Sequence, residues 1–229
     1  MIAMKVAVSW SGGKDSCLSL FRALKMGYKP VYIFNIAVRR GEAPRVHGLD
    51  PSIINAQAEA LNIPLIQREA TWDTYEHVFK GIVRELKSKG IEGIVFGDIH
   101  IEEHRKWNER VCKELQVEPI LPLWKNDVRE IAEEFINAGF NAIVVCIRED
   151  KLSKEILGRH FNLELLEILG KFDIDLMGEY GEYHTLVLDG PIFKMRIVIL
   201  KTNIIKIAPH YLVLNPTRWC LVKKNRQNP

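Results

Sequence analysis

Ser9-Trp10-Ser11-Gly12-Gly13-Lys14-Asp15-Ser16 gathers two glycines, a lysine and several hydroxyls into one short run. Glycines let the backbone turn so that successive N–H groups face one point. Lys14 adds a full positive charge, and Ser11 and Ser16 add hydroxyl donors. A helix starting here adds its unpaired N–H groups and a partial positive charge. The expected guest is a phosphate or pyrophosphate. A Walker A loop is excluded, because Asp15 follows Lys14 and no glycine stands five positions before Gly13. The dinucleotide fingerprint G-x-G-x-x-G is absent as well.

Four further groups carry chemistry. Gly97-Asp98 closes an apolar run. Its aspartate can cap the next helix or orient Mg²⁺, which takes carboxylates together with phosphate oxygens. Arg105 and Glu109 stand at i, i+4, which suits either a surface ion pair or an arginine placed near phosphate. His47, beside Gly48 in a polar stretch, is either simply exposed or a nucleotide contact. The densest group is Gly178 to Thr185, with Glu179, Glu182, His184 and Thr185. It reads as a β-turn with solvated acids or as a recognition and acid–base group facing the nucleotide. In the second reading His184 binds a carboxylate or shuttles protons, and Glu182 holds a cationic group.

The elements that must position these residues are legible. Lys5-Val6-Ala7-Val8 reads as a first strand and Cys17 to Met26 as a helix. Val31 to Ala37, with Asn35, is a nearly continuous apolar run, as in a strand buried on both faces. Asp50-Pro51 starts a helix, with aspartate as N-cap and proline at the first helical position. Pro64-Leu65-Ile66 is a third strand. Asp73-Thr74-Tyr75-Glu76 predicts a capping box, with Asp73 as cap and Glu76 as its acid. Ile94 to Phe96 is a fourth strand, Pro119 to Trp124 a short fifth. This alternation predicts a Rossmann-like, HUP-type α/β parallel sheet flanked by helices. Ligands then sit beyond the carboxyl ends of the strands, so the glycine loop, the Ala37 to His47 loop and Gly97-Asp98 should converge. From Asn126 the pattern changes, and a smaller mixed α/β domain is expected. The expected divisions are 1–125, 126–215, and a basic, loose tail over 216–229.

At 229 residues, 47% hydrophobic and 27% charged, the chain can bury a sizeable core. A net charge of +3 is small and does not by itself argue for nucleic acid, and the absence of a basic stripe weighs against tRNA modification. Cys17, Cys112, Cys146 and Cys220 form no C-x-x-C pair, so no zinc or redox motif is expected and a reducing cytoplasm is the simplest setting. No signal peptide and no membrane span are expected.

Ser11 to Ser16 resembles the PP-loop, S-G-G-x-D-S, of the ATP pyrophosphatase superfamily, whose members cleave ATP between the α and β phosphates. The full set of residues resembles the diphthine–ammonia ligase family. Its parts are the PP-loop, His47, Gln57-Ala58-Glu59-Ala60, Gly97-Asp98-Ile99, Arg105 with Glu109 and Cys112, Pro122-Leu123-Trp124, Gly178-Glu179, Gly181-Glu182-Tyr183-His184-Thr185, and Asp189 to Phe193. The resemblance implies ATP held by Ser9, Ser11, Gly12, Gly13, Lys14, Asp15, Ser16, Asn35, His47, Gly97, Asp98 and Arg105, with Mg²⁺ at Asp15 and Asp98. It implies substrate contacts from Glu179, Glu182, His184 and Thr185, and catalytic roles for Lys14, Asp98, Glu182 and His184. The implied partner is elongation factor 2 bearing diphthine, with ammonium as the nitrogen source. A homodimer is left open. Tyr180 departs from the family's usual glycine at that place. Other PP-loop substrates (a corrinoid precursor, a small carboxylate, a tRNA base) and a non-catalytic ATP sensor are the alternatives.

Overall fold

Strand β1 (Lys5–Ser9) alternates its side chains between two cores. Val6 and Val8 face one side, Ala7 the other, as the two-residue period of a strand requires. The computed structural model describes residues 3–38, 50–207 and 209–224. Around β1 the chain lays down α1 (Lys14–Lys25), β2 (Lys29–Val38), α2 (Pro51–Leu61), β3 (Leu65–Ala70), α3 (Tyr75–Ser88), β4 (Gly93–Val95), α4 (Glu102–Leu115) and β5 (Glu118–Ile120). The five strands form a sheet in the order β3-β2-β1-β4-β5, with every pairing parallel. The strand order reverses at β1, so the crevice opens between the carboxyl ends of β1 and β4.

One face of this sheet packs against α3 and α4 through Phe79, Ile82, Val83, Leu86, Val111 and Leu115. The other face, covered by α1 and α2, shares a continuous core with the second half of the chain. That half comprises α5 (Val128–Asn137), β6 (Asn141–Arg148), a short 3₁₀ turn at Lys154–Ile156, α6 (Leu163–Leu169), β7 (Tyr183–Asp189), β8 (Met195–Ile207) and β9 (Tyr211–Lys223). Its four strands form an antiparallel sheet in the order β7-β6-β9-β8. Leu18, Leu20, Phe135, Val144 and Leu186 belong to that shared core, and each buried side chain of this size contributes roughly 1.5–3 kcal/mol.

Several local expectations need correction. Thr74, not Asp73, is the N-cap of α3, and no side-chain cap bond forms. The Thr74 hydroxyl instead accepts from Thr71 N–H at 2.9 Å, and Glu76 is drawn to Trp107 and Arg110. Leu121 to Trp124 are turn, not strand. Within 151–171 only a 3₁₀ turn and the seven residues of α6 are helical. The stretch expected as a loose tail is strand up to Lys223, because every residue of β9 except Thr217 finds a ladder partner in β8 or β6. Asp50 does cap α2, accepting from Ser52 N–H at 2.8 Å. Among the described residues no helix is long and apolar enough to cross a membrane.

Candidate active site

The glycine loop lies at the carboxyl end of β1 and runs straight into α1. Gly12 takes a φ of +83°, open to glycine at no steric cost. A Cβ there would stand 2.6 Å from Gln57 Oε1. Gln57 is fully buried on α2 and is the bolt of the loop. Its Oε1 accepts from Trp10 Nε1 at 2.9 Å, and its Nε2 donates to the carbonyls of Gly12 at 2.9 Å and Val187 at 2.8 Å. Val187 N–H in turn donates to Gly12 O. The second sheet therefore holds the loop directly, through both its backbone and Gln57.

A cavity of about 650 Å³ opens in front of the loop. Its size is that of a small-molecule or cofactor site. One end is polar, lined by Ser9, Ser11, Asp15, Ser16, Asp98 and Glu179; Gly97 forms its floor. A Cβ at Gly97 would lie 3.2 Å from Ser16 N, so glycine lets the end of β4 sit against the start of α1. The other end is aromatic. Trp72, Tyr75, Phe79 and Trp107 line it, with ring centroids 4.9 Å apart for Phe79–Trp107 and 5.8 Å for Tyr75–Trp107. Asn35 also lines the cavity and donates to Trp10 O at 2.8 Å.

Three carboxylates share the polar end. Asp98 accepts from Asn108 Nδ2 at 2.8 Å and meets His104 Nδ1 at 3.1 Å. It caps nothing, since Ile101 is the N-cap of α4. Glu179 accepts from Ile99 N–H at 3.1 Å. Burial, with Asp15 and Asp98 nearby, pushes Glu179 up to about 7. Burial also raises Asp15 above the usual carboxylate range, against the pull of Lys14. Asp15 Oδ1 is buried and has no hydrogen-bond partner. Among the described residues no group of three ligating side chains converges on a single point for a metal ion.

A second, narrow cleft of about 40 Å³ lies on the other side of the loop. Ser11, Gly13, Lys14, Asp15, His184 and Thr185 line it, so Ser11 and Asp15 face both spaces. His184 is in this cleft and not in the larger cavity. The Thr185 hydroxyl accepts from Lys14 N–H at 3.0 Å, supplying the side-chain cap that Gly13 cannot give α1. Thr185 thus orders the loop.

Besides His184, the expected contacts Gly12, Gly13, Lys14, Arg105, Glu182 and Thr185 do not line the larger cavity. Lys14 Nζ donates to Met177 O at 2.5 Å and to Asp15 Oδ2 at 3.1 Å, with the Tyr183 ring 4.9 Å away. Arg105 pairs with Glu109 at 2.6 Å and lies over the Trp124 ring. On α4 the neighbouring positions His104 and Asn108, at i and i+4, take the cavity face, so Arg105 is turned past it. Glu182 is buried and lines neither the cavity nor the cleft. Its Oε1 accepts from Asp175 N–H at 3.0 Å and its Oε2 has no partner. His47 lies outside the described residues. Tyr180 is 63% exposed, its ring 5.6 Å from that of His100.

The aromatic wall, His104, Asn108 and the bolt at Gln57 escaped the sequence reading as site residues. The 104/108 spacing behind Asp98 was a signal for the pair. Trp72, Tyr75, Phe79 and Trp107 look like ordinary core positions until two helices bring them together.

Comparison with known proteins places this geometry. Residues 4–119 match the diphthamide synthase N-terminal domain, and residues 127–212 match the diphthamide synthase C-terminal domain. The chain belongs to the diphthamide synthase family. Curated relatives named diphthine–ammonia ligase include one from Schizosaccharomyces pombe, 27% identical over 99% of this chain and 41% of its own length. Another, from Rattus norvegicus, is 29% identical over 86% of this chain and 83% of its own. The chain therefore spans less than half of the yeast relative and most of the rat one. A solved Methanocaldococcus jannaschii protein, described as a predicted subunit of tRNA methyltransferase, overlaps with a TM-score of 0.44 at 16% identity. That overlap covers 82% of this chain and 98% of the other.

Proposed function

We propose that the chain is an ATP-dependent amide ligase that adenylates the diphthine carboxylate of elongation factor 2 and transfers ammonia to it. The observation that carries this reading is the double-ended cavity in front of the glycine loop, polar at Ser11, Asp15 and Ser16 and aromatic at Tyr75, Phe79 and Trp107. It has room for a nucleotide with its phosphates at one end and its base among rings at the other. Family membership and the names of the curated relatives support the substrate assignment.

In this reading the diphthine carboxylate attacks the α-phosphate, and the bond to the β-phosphate breaks. Pyrophosphate leaves, and an acyl-adenylate forms. Ammonia then adds to the acyl carbon, AMP leaves, and one proton is released. The α1 N-terminus and the Ser11 and Ser16 hydroxyls stabilise charge on the departing pyrophosphate. Lys14 would have to leave the Met177 carbonyl to join them, since it does not line the cavity. Glu179, with its carboxyl near 7, is poised to take the released proton. Asp98 and Asp15, whose Oδ1 is unpartnered, both line the polar end. Asp15 and Asp98 would hold Mg²⁺, which bound there would offset phosphate charge.

The deciding assay mixes the purified chain with ATP, Mg²⁺, ammonium and diphthine-bearing elongation factor. AMP and pyrophosphate are expected, with a new amide on the factor by mass spectrometry. ADP and phosphate in their place would refute attack at the α-phosphate. AMP without amide would refute the substrate.

A further inference from the structure

The last 40 residues carry eight lysines and arginines and no aspartate or glutamate, although the whole chain holds 32 against 29. The first 189 residues are therefore net negative, by five charges. This basic excess sits mainly on the β8–β9 hairpin. Lys206 pairs with Glu149 and Lys224 with Asp189. The middle of the hairpin has no such partners among the described residues. Lys201 and Arg218 stand directly opposite one another where the ladder register shifts, and both are exposed. Like charges in that position repel. Among the described residues no carboxylate pairs with either of them, nor with Arg196 or Lys223.

The same place is bare of packing. β8 is an edge strand, and all five residues from Leu200 to Ile204 are exposed, Leu200 by 54% and Ile204 by 44%. Long edges with exposed apolar residues are ready templates for another strand. The hairpin also leads to the candidate site. Tyr211, at the start of β9, pairs with Arg148, whose N–H donates to Glu182 O at 2.8 Å. The Tyr211 hydroxyl lies beside Gly181, in the loop that carries Glu179.

We propose that the β8 edge from Leu200 to Ile204, with Lys201 and Arg218, docks an extended acidic segment of the protein substrate. The inference rests on the amide-ligase reading and adds to it how the macromolecule is held. The free edge offers backbone hydrogen bonds, Leu200 and Ile204 offer apolar contact, and the two cations take carboxylates. A second copy docking through the same edge would bring like charges together. Single-stranded nucleic acid would call for stacking aromatics; residues 200–204 include none, and Trp219 beside Arg218 packs against the core.

The test uses the full chain as wild type, K201E/R218E and the charge-preserving K201R/R218K. Amide formation is measured on intact diphthine-bearing factor and on a short peptide carrying the same modified histidine. The double reversal is expected to raise KM for the intact factor about tenfold, while kcat/KM for the peptide stays within twofold. K201R/R218K should behave as wild type, and 300 mM salt should weaken the wild type toward the reversed variant. Unchanged kinetics of K201E/R218E on the intact factor overturn the docking site. So does an equal loss on the peptide, or a loss of binding to a single-stranded RNA oligomer with factor binding intact. Failure of the wild type to amidate either substrate refutes the ligase reading instead, so the two failures are distinct.

Discussion

Glu179→Gln should make the ligand-free protein more stable at pH 8 and leave it unchanged near pH 4. In the folded chain the Glu179 carboxyl is pushed from 4.5 up to about 7, first by burial and then by Asp15 and Asp98. The folded state therefore holds its proton more tightly than the unfolded state does. Stability from this group is fully present below pH 4.5 and is lost as the pH rises through 7. At about 1.4 kcal/mol per pH unit, the difference amounts to about 3 kcal/mol at pH 8. Glutamine keeps an oxygen for the Ile99 N–H but brings no charge, so it escapes that cost. Urea unfolding with EDTA, at pH 4.5, 6 and 8, gives the two stability curves. The variant should pull ahead only as the pH rises, with a melting temperature higher by roughly 6–12 °C at pH 8. A variant less stable than wild type at pH 8, or a gap that does not change with pH, would refute the desolvated carboxylate. The stabilised variant should also lose amide formation, since the same charge is assigned to the reaction.

Gln57→Leu strands Trp10 Nε1 and Val187 O, while Gly12 O keeps the Val187 N–H. Each stranded polar group costs about 1–3 kcal/mol, so a loss of about 3 kcal/mol or more is expected in chemical unfolding, along with weaker ATP binding by calorimetry. Thr185→Val strands the Lys14 N–H and should cost about 1 kcal/mol, while Thr185→Ser should retain wild-type stability; equal behaviour of the two would show that the cap is idle. Arg105→Ala should change ATP affinity by less than twofold, because Arg105 is engaged with Glu109 and Trp124 outside the cavity; a tenfold loss would put Arg105 back at the phosphates.

The parallel sheet was legible because its signals are local. Continuous apolar runs mark β1 and β2, and Asp50-Pro51 marks the start of α2. The tail past Pro216 was misread because its polar and basic side chains carry no strand period of their own. Its strand state comes from pairing with β8 across a hairpin, which is a long-range fact. Lys14 shows the same limit at the site. Its type suggested a phosphate contact, but where its Nζ points is set by the Met177 carbonyl, 163 residues away in sequence.

By itself, the sequence determined that a glycine loop bends the chain at the end of the first strand and feeds a helix. That outcome needs only backbone freedom at Gly12 and Gly13 and the periodicity around them. Tertiary structure alone decided what surrounds the loop. Gln57 and Val187 clamp it, Thr185 caps its helix, and Glu179 crosses from the second half to close the polar end. These contacts join residues 45 to more than 160 positions apart, so burial and sheet register set them. Glu182, similar to Glu179 in sequence context, is instead buried on the Asp175 N–H and lines neither the cavity nor the cleft.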